Sequence, residues 1–125
     1  MSYDDGYEKI SAARAIYSKI PPLYCPLLED TVYFTRHGFN HLIWKGRIPR
    51  SKSQQEERLA LIPSIPTIIG DAKADVTFND SRVIRFWTLT SKINDTRVRV
   101  VLDQPSGRKI FVSIYPIKNK KSHEM

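Results

Sequence analysis

The fold is decided by residues 96–117, which read TRVRVVLDQPSGRKIFVSIYPI. On both sides of the segment Gln104-Pro105-Ser106-Gly107, β-branched and aromatic residues alternate with polar ones, and successive side chains of a strand point to opposite faces of a sheet. Proline, serine and glycine in close succession are typical of a turn. The stretch therefore predicts two antiparallel strands, from Thr96 to Asp103 and from Arg108 to Ile117.

Two further strands are predicted before this hairpin. The segments Ala74 to Phe78 and Arg82 to Ser91 are rich in Val, Ile, Thr and aromatic residues. The connections Asn79-Asp80-Ser81 and Asn94-Asp95 carry turn residues. We expect the four segments to form a four-stranded antiparallel meander.

Helical spacing replaces this alternation in the first part of the chain. The segment Asp4 to Ile20 has apolar residues at helical spacing and is followed by two prolines, which predicts an amphipathic helix. A short extended piece, Val32 to Phe34, comes next. Thr35 can cap a second helix from Arg36 to Lys45, since Gly46 then stands where a helix commonly ends.

A third helix is predicted by the capping-box spacing of Ser53 and Glu56, and it should run to about Ile62, before Pro63. Together these elements predict an α+β fold. In it, N-terminal helices pack on one face of a C-terminal four-stranded antiparallel meander sheet.

The length and composition limit the kind of protein that this chain can be. A chain of 125 residues with 41% hydrophobic residues can build the core of one domain, which we divide into a mostly helical half (1–70), a sheet (71–117) and a basic frayed tail (118–125). Its apolar runs are much shorter than the roughly 20 residues that span a bilayer. The N-terminus lacks the basic and apolar pattern of a secretory signal. We expect no membrane partner and a cytoplasmic location, in the producing or in a target cell.

The sequence lacks the usual motifs for binding a metal or a cofactor. The single Cys25 cannot form an internal disulfide or a cysteine-based metal site. His37 and His41 are spaced as in a zinc helix, but position 38 is Gly and not the carboxylate of that motif. There is no Walker loop, no dinucleotide-binding glycine pattern and no nucleophile elbow. We expect no cofactor and no bound metal.

Positive charge is concentrated after the first helix. Residues 32–125 carry 17 basic and eight acidic side chains, a surplus of nine. A positive field attracts polyanions, and each Lys or Arg that neutralises a phosphate releases a counterion. RNA is therefore the first partner to consider, although a basic surface can also serve solubility alone.

One stripe of the second helix carries groups suited to acid–base chemistry. At 100° per residue, His37, His41, Trp44 and Lys45 share a side opposite the apolar residues. Near neutral pH, an imidazole can take a proton from a ribose 2′-hydroxyl and an imidazolium can return one. The alternative is a solvated polar face, which any amphipathic surface helix needs.

The outward faces of the last two strands are predicted to be basic, hydroxylic and aromatic. Alternation places Val98, Val100 and Leu102 inward, and likewise Ile110, Val112 and Ile114. The outward residues are then Arg97, Arg99, Val101, Lys109, Phe111, Ser113 and Tyr115. Such a face can hold a phosphate with its cations and a base on its rings, or it can be an ordinary solvated sheet face.

The remaining basic candidates are less well placed by the pattern. Arg47 and Arg50 lie in the linker after the second helix. Arg85 lies on a strand whose register stays open, because either Ile84 and Phe86 or Trp87 and Leu89 can face the core. All three are candidates for RNA binding.

Several segments together resemble a known family. They are VYFTRHGFNHLIWKG (residues 32–46), the basic linker, the SxxE-capped helix, LIPSIPTIIG (61–70) and the final strand KIFVSIYPIK (109–118). They are similar to the phage-type branch of the barnase, EndoU, colicin and RelE-like (BECR) superfamily of ribonucleases. Its members have N-terminal helices and a four-stranded antiparallel sheet, and they are metal-independent toxins or effectors that often act on tRNA.

The resemblance implies roles for particular residues. His41 is the expected acid–base residue, with His37 next, and Lys45 and Arg47 assist at the phosphate. Ser113 and Tyr115 match the polar positions of the family's last strand, and Arg97 or Arg99 its sheet-borne cations. Whether the chain also has an immunity protein or antitoxin as partner is left open by the sequence.

The leading hypothesis is thus a small metal-independent ribonuclease that cleaves RNA, tRNA among its expected substrates, through attack of the 2′-hydroxyl to give a 2′,3′-cyclic phosphate. The alternatives are a non-catalytic module that binds RNA or protein, and a phage structural or assembly protein.

Overall fold

A computed structural model describes residues 2–80 and 85–118 of the chain. In that part, the helices are α1 (Ser2–Ser18), α2 (Arg36–Ile43), α3 (Lys52–Leu59) and α4 (Ile65–Ile69), with a 3-10 turn at Ile62–Ser64. The strands are β1 (Leu23–Cys25), β2 (Asp30–Tyr33), β3 (Trp44–Lys45), β4 (Ile48–Pro49), β5 (Asp75–Asp80), β6 (Arg85–Ile93), β7 (Thr96–Asp103) and β8 (Lys109–Pro116). None of the described helices is long and apolar enough to cross a membrane.

The main sheet has six strands in the order β1-β2-β8-β7-β6-β5, and β3 and β4 form a separate two-stranded ribbon. Strands β5 to β8 pair antiparallel with their neighbours. Strand β2 runs parallel to β8, with Val32 opposite Lys109 and Tyr33 opposite Ile110. The domain is α+β, but the prediction of a four-stranded antiparallel sheet is wrong.

Two physical reasons explain this error. Strands β1 and β2 have only three and four residues, too few for an alternation to be recognised. The pairing of β2 with β8 also joins segments that are far apart in the chain, and local sequence patterns carry no information about such contacts. The sheet is therefore larger and mixed.

The main core lies on one face of the sheet, which we call the core face. Leu89, Val100 and Ile114 are cross-strand neighbours on it and are fully buried. The buried residues of α4 and of the turn before it belong to the same cluster: Ile62, Ile65, Ile68 and Ile69. We call the opposite side the outer face; Thr90, Arg99 and Tyr115 are cross-strand neighbours there.

The three predicted helices are present with shifted ends. Helix α2 stops at Ile43, two residues before the predicted end, because Trp44 has an extended backbone and begins the ribbon. Helix α3 is capped by Ser51, whose hydroxyl accepts from the Gln54 N–H, and not by Ser53. Lys45 therefore leaves the helical stripe on which the sequence pattern placed it.

An irregularity in the pairing of β7 and β8 overturns the predicted faces of β8. Val101 pairs with Ser113, but Leu102 pairs with Phe111, so Val112 is the extra residue of a β-bulge. Phe111 therefore turns onto the core face and is fully buried, and it is no outward stacking surface.

Lys109 is also displaced from its predicted outward position. It is 9% exposed, its Nζ donates to Asp30 Oδ2 at 2.8 Å and lies 4.6 Å from the centre of the Trp87 ring. Lys109 thus has a structural ion pair, and the prediction that it faces outward is wrong. Ile110 and Val112, predicted to face inward, are only half-buried.

The open register of β6 is resolved at its described residues. Leu89 is fully buried on the core face and Trp87 packs against the core. Arg85 is exposed at the start of the strand and pairs with Asp80 at 3.5 Å. The predicted strand residues Arg82, Val83 and Ile84, and the tail beyond Lys118, lie outside the described residues.

Candidate functional site

Helix α2 is held against β8, and this contact positions its histidines. Thr35 caps the helix, its hydroxyl accepting from the Gly38 N–H at 3.4 Å. A Cβ at Gly38 would come within 2.5 Å of the Phe111 carbonyl oxygen, so only glycine permits this approach. Leu42 is fully buried, which leaves the His37 side of the helix toward solvent.

His37 and His41 lie on the same side of α2, as the spacing predicted, with ring centres 6.2 Å apart. His37 is exposed and His41 is half-buried. Burial lowers the pKa of His41 below its usual value, and the nearby positive charges of Arg50, His37 and Arg58 lower it further. His41 is therefore predominantly neutral at physiological pH.

Arg50 folds back from the ribbon onto His41. Its Nε donates to the His41 carbonyl oxygen at 3.0 Å, and its Nη2 lies 3.4 Å from His41 Nδ1. Gln55 of α3 holds the backbone at this point, because its Nε2 donates to the Arg50 carbonyl at 3.0 Å. The C-terminal end of α2 is thus joined to α3 through Arg50.

Arg58 of α3 reaches the last strand. Its Nη1 donates to the hydroxyl of Ser113 at 2.7 Å, and its guanidinium carbon lies 5.1 Å from the centre of the Tyr115 ring. The positive charge of this guanidinium also contributes to the lowered pKa of His41. Helix α3 thus contacts Arg50 through Gln55 and the polar residues of β8 through Arg58.

Arg99 approaches Tyr115 from β7. Its Nη1 donates to the Tyr115 hydroxyl at 3.3 Å, and its Nε donates to the hydroxyl of Thr90 at 3.4 Å. These residues are neighbours across β6, β7 and β8 on the outer face. The phenol oxygen therefore accepts from a guanidinium while its own O–H remains able to donate.

We call this arrangement the His41–Tyr115 cluster, and its members are His41, Arg50, Arg58, Arg99, Ser113 and Tyr115. Among the described residues, none of its three guanidiniums pairs with a carboxylate. Glu57 adjoins Arg58, but its carboxylate is paired with Lys118. A concentration of uncompensated positive charge beside hydroxyl groups is suited to binding an anion.

The other predicted basic residues lie outside the cluster. Lys45 and Arg47 are exposed on the ribbon that Arg50 closes. Arg97 is exposed on β7 opposite Lys92. Arg85 is exposed and paired with Asp80. The structure thus brings together His41, Arg50, Arg99, Ser113 and Tyr115, and leaves the remaining candidates at the periphery or in the core.

Sequence reasoning missed Arg58 and Gln55. Both lie on α3, which was predicted as a helix but not connected to any site. Arg58 follows two glutamates, and such a charge run is typical of a solvated helix face. Its importance arises from the packing of α3 against β8, which the sequence does not display.

Within the described ranges, no three His, Cys, Asp or Glu side chains are grouped so as to hold a metal ion. The chain matches no protein-family model, no curated protein and no solved structure.

Proposed function

We propose that this protein is a metal-independent ribonuclease of the toxin or effector type, similar to the BECR enzymes, and that the His41–Tyr115 cluster is its active site. The observation that carries the proposal is that helix α3 contacts both parts of the cluster. Gln55 holds Arg50, which lies against His41, and one turn later Arg58 contacts Ser113 and Tyr115.

The three guanidiniums suit the charge that develops on a phosphodiester during its cleavage. In RNA cleavage, negative charge builds on the non-bridging oxygens as phosphorus becomes pentacoordinate. Preorganised donors at that position typically contribute the largest part of the rate enhancement. Arg58 and Arg99 are held by Ser113 and by Thr90 and Tyr115, so they need little reorganisation when the phosphate binds.

His41 and Tyr115 supply the proton transfers in this proposal. The 2′-hydroxyl gives its proton to His41 as its oxygen bonds to phosphorus. The bond from phosphorus to the 5′ oxygen breaks, and that oxygen takes the proton of the Tyr115 hydroxyl. The products are a 2′,3′-cyclic phosphate and a 5′-hydroxyl, and proton exchange with water restores both side chains.

Arg50 would control when His41 can accept that proton. Because an arginine only donates, its contact with Nδ1 occupies the basic nitrogen of a neutral His41 and assigns the proton to Nε2. At 3.4 Å the contact is at the long limit of a hydrogen bond and is easily exchanged for a phosphate oxygen. Substrate binding thus frees the base.

The test is incubation of the purified protein with total RNA, in parallel with and without EDTA, followed by mapping of the cut ends. Ends bearing 2′,3′-cyclic phosphate, lost in His41→Ala and Tyr115→Phe but retained in Arg85→Ala, support the proposal. Arg85→Ala is the matched control because it removes an exposed arginine outside the cluster. Intact RNA with all proteins, or cleavage abolished by EDTA, contradicts it.

The contact of Arg50 with His41 Nδ1 also favours a second function, that of an RNA-binding module that does not cleave. In that case the arginines bind phosphate while Arg50 stays on His41. Salt-sensitive RNA binding with no cut ends would identify this alternative.

A further inference from the structure

The ribbon formed by β3 and β4 stands beside the His41–Tyr115 cluster and has an unusual surface. Trp44 is 45% exposed and Ile48 is 71% exposed, although both are large apolar residues. Between them, Gly46 has a φ of +65° and an added Cβ there would touch nothing within 4 Å. A Cβ at the tip of the ribbon would therefore extend into solvent.

The base of the ribbon is fixed to the cluster. The Arg50 N–H donates to the Ile43 carbonyl at 2.8 Å, which closes the ribbon. The Trp44 N–H donates to the Asn40 carbonyl at the end of α2. Since Trp44 follows His41 by three residues, their Cα atoms are at most about 11 Å apart.

The Trp44 side chain has no ring, cation or hydrogen-bond partner in the described part of the chain. Its indole makes no ring–ring contact, no contact with a cation and no hydrogen bond there. By contrast, the Tyr115 ring contacts Arg58 and Arg99, and Phe111 is fully buried. Trp44 is therefore the exposed aromatic ring of this region that remains available to a ligand.

The charges around the ring favour a polyanion. Residues 36–58 contain six basic and two acidic side chains, and both acidic ones are paired, Glu56 with Lys9 and Glu57 with Lys118. Lys45 and Arg47 lie on either side of Gly46 at the ribbon turn, are exposed and have no carboxylate partner among the described residues. An exposed ring that shares a short ribbon with exposed cations is suited to stacking a base and holding its phosphates.

We propose that Trp44 stacks on an unpaired base next to the phosphate in the His41–Tyr115 cluster, and that the substrate is therefore single-stranded or loop RNA. This inference rests on the proposed function, since it takes RNA as the ligand. In a duplex the bases are stacked on each other and leave no free face for an indole, whereas loops and single strands present splayed bases.

The test uses a 2′-O-methyl RNA oligonucleotide, which lacks the attacking hydroxyl and stays intact. Affinity is measured by fluorescence anisotropy for the single strand and for the same strand annealed to its complement. Trp44→Ala should weaken single-strand binding about 5- to 100-fold. Trp44→Phe, which keeps a stacking ring, should recover most of the loss. Tyr24→Ala is the control, because Tyr24 is the more exposed at 61% and lies on β1.

Tryptophan fluorescence gives an independent measurement of base stacking on Trp44. The chain has two tryptophans, so Trp87→Phe leaves Trp44 as the sole emitter, and the single strand should quench it. If Trp87→Phe does not fold, the quenching of wild type and of Trp44→Phe is compared instead.

The outcomes separate the two proposals. Three results would overturn the stacking inference without affecting the proposed ribonuclease function. They are equal affinity of wild type and Trp44→Ala for the single strand, tryptophan emission that is not quenched on binding, and equal affinity of the wild type for single strand and duplex. Stacking with intact total RNA supports the inference while the cleavage proposal fails. An absence of RNA binding at low salt overturns both, and would direct attention to an acidic protein as the ribbon's partner.

Discussion

Replacing Arg58 with alanine separates the contribution of this side chain to folding from its contribution to chemistry. In the folded protein its guanidinium donates to the buried Ser113 hydroxyl at 2.7 Å. A buried polar group that loses its partner costs about 1–3 kcal/mol of unfolding free energy. For a chain of this size about 1 kcal/mol corresponds to roughly 4 °C, so Tm should fall by about 4–12 °C.

The same substitution should have a larger effect on catalysis. Arg58 is proposed to stabilise charge that develops on the phosphate, and removal of one such donor typically lowers a rate by about 10²- to 10³-fold. The assay is single-turnover cleavage of a labelled single-stranded RNA in EDTA. It is performed at a temperature at which thermal melts show the variant to be folded.

A second substitution distinguishes the two effects. In Arg58→Ala/Ser113→Ala both hydrogen-bond partners are absent, so most of the lost stability should return while cleavage stays low. Arg85→Ala should change neither quantity. Full cleavage by folded Arg58→Ala, or recovery of cleavage along with stability in the double variant, would refute the proposed role of Arg58.

Four further predictions concern other parts of the molecule. His41→Ala should lower the cleavage rate about 10²-fold or more, while the unfolding free energy falls by less than about 1 kcal/mol. Because burial lowers the pKa of His41, the wild-type protein should lose stability as the pH falls below about 6.5. Thermal melts of His41→Ala should depend less on pH in that range. Gly38→Ala should lower the unfolding free energy by about 1–3 kcal/mol, measured by thermal melts, because the new Cβ would lie 2.5 Å from the Phe111 carbonyl oxygen. An unchanged Tm would contradict this packing. Lys109→Ala should lower Tm by removing the ion pair with Asp30 but leave RNA affinity unchanged, and weaker RNA binding would restore it as an RNA ligand. Arg99→Ala should reduce the slope of log affinity against log salt by about 0.7, as expected for one phosphate contact to a single strand, and an unchanged slope would exclude that contact.

Much of the local structure could be read from the chain. The alternation in β7 correctly places Val98, Val100 and Leu102 in the core. Thr35 caps α2 as predicted, and the spacing of His37 and His41 puts them on one side of it. These features depend on periodicity and on hydrogen bonds between near neighbours, which are properties of short segments.

The candidate site was predictable only in part, for reasons visible in β8. The segment from Ile110 to Tyr115 has apolar or aromatic residues at both odd and even positions, so alternation alone does not choose a face. The bulge at Val112 then brings Phe111 and Ile114 to the same side, although they are three residues apart. Such an irregularity is chosen by the packing of the whole sheet.

Local spacing and composition suffice to predict the α+β class, three helices, four strands and the positive charge of the part after α1. Three features depend on the folded structure: β2 adds to the sheet in parallel with β8, Lys109 and Phe111 turn inward, and α3 brings Arg58 against Ser113 and Tyr115. Those contacts join residues that are distant in the chain, and their free energy comes from packing and burial, which no short segment possesses alone.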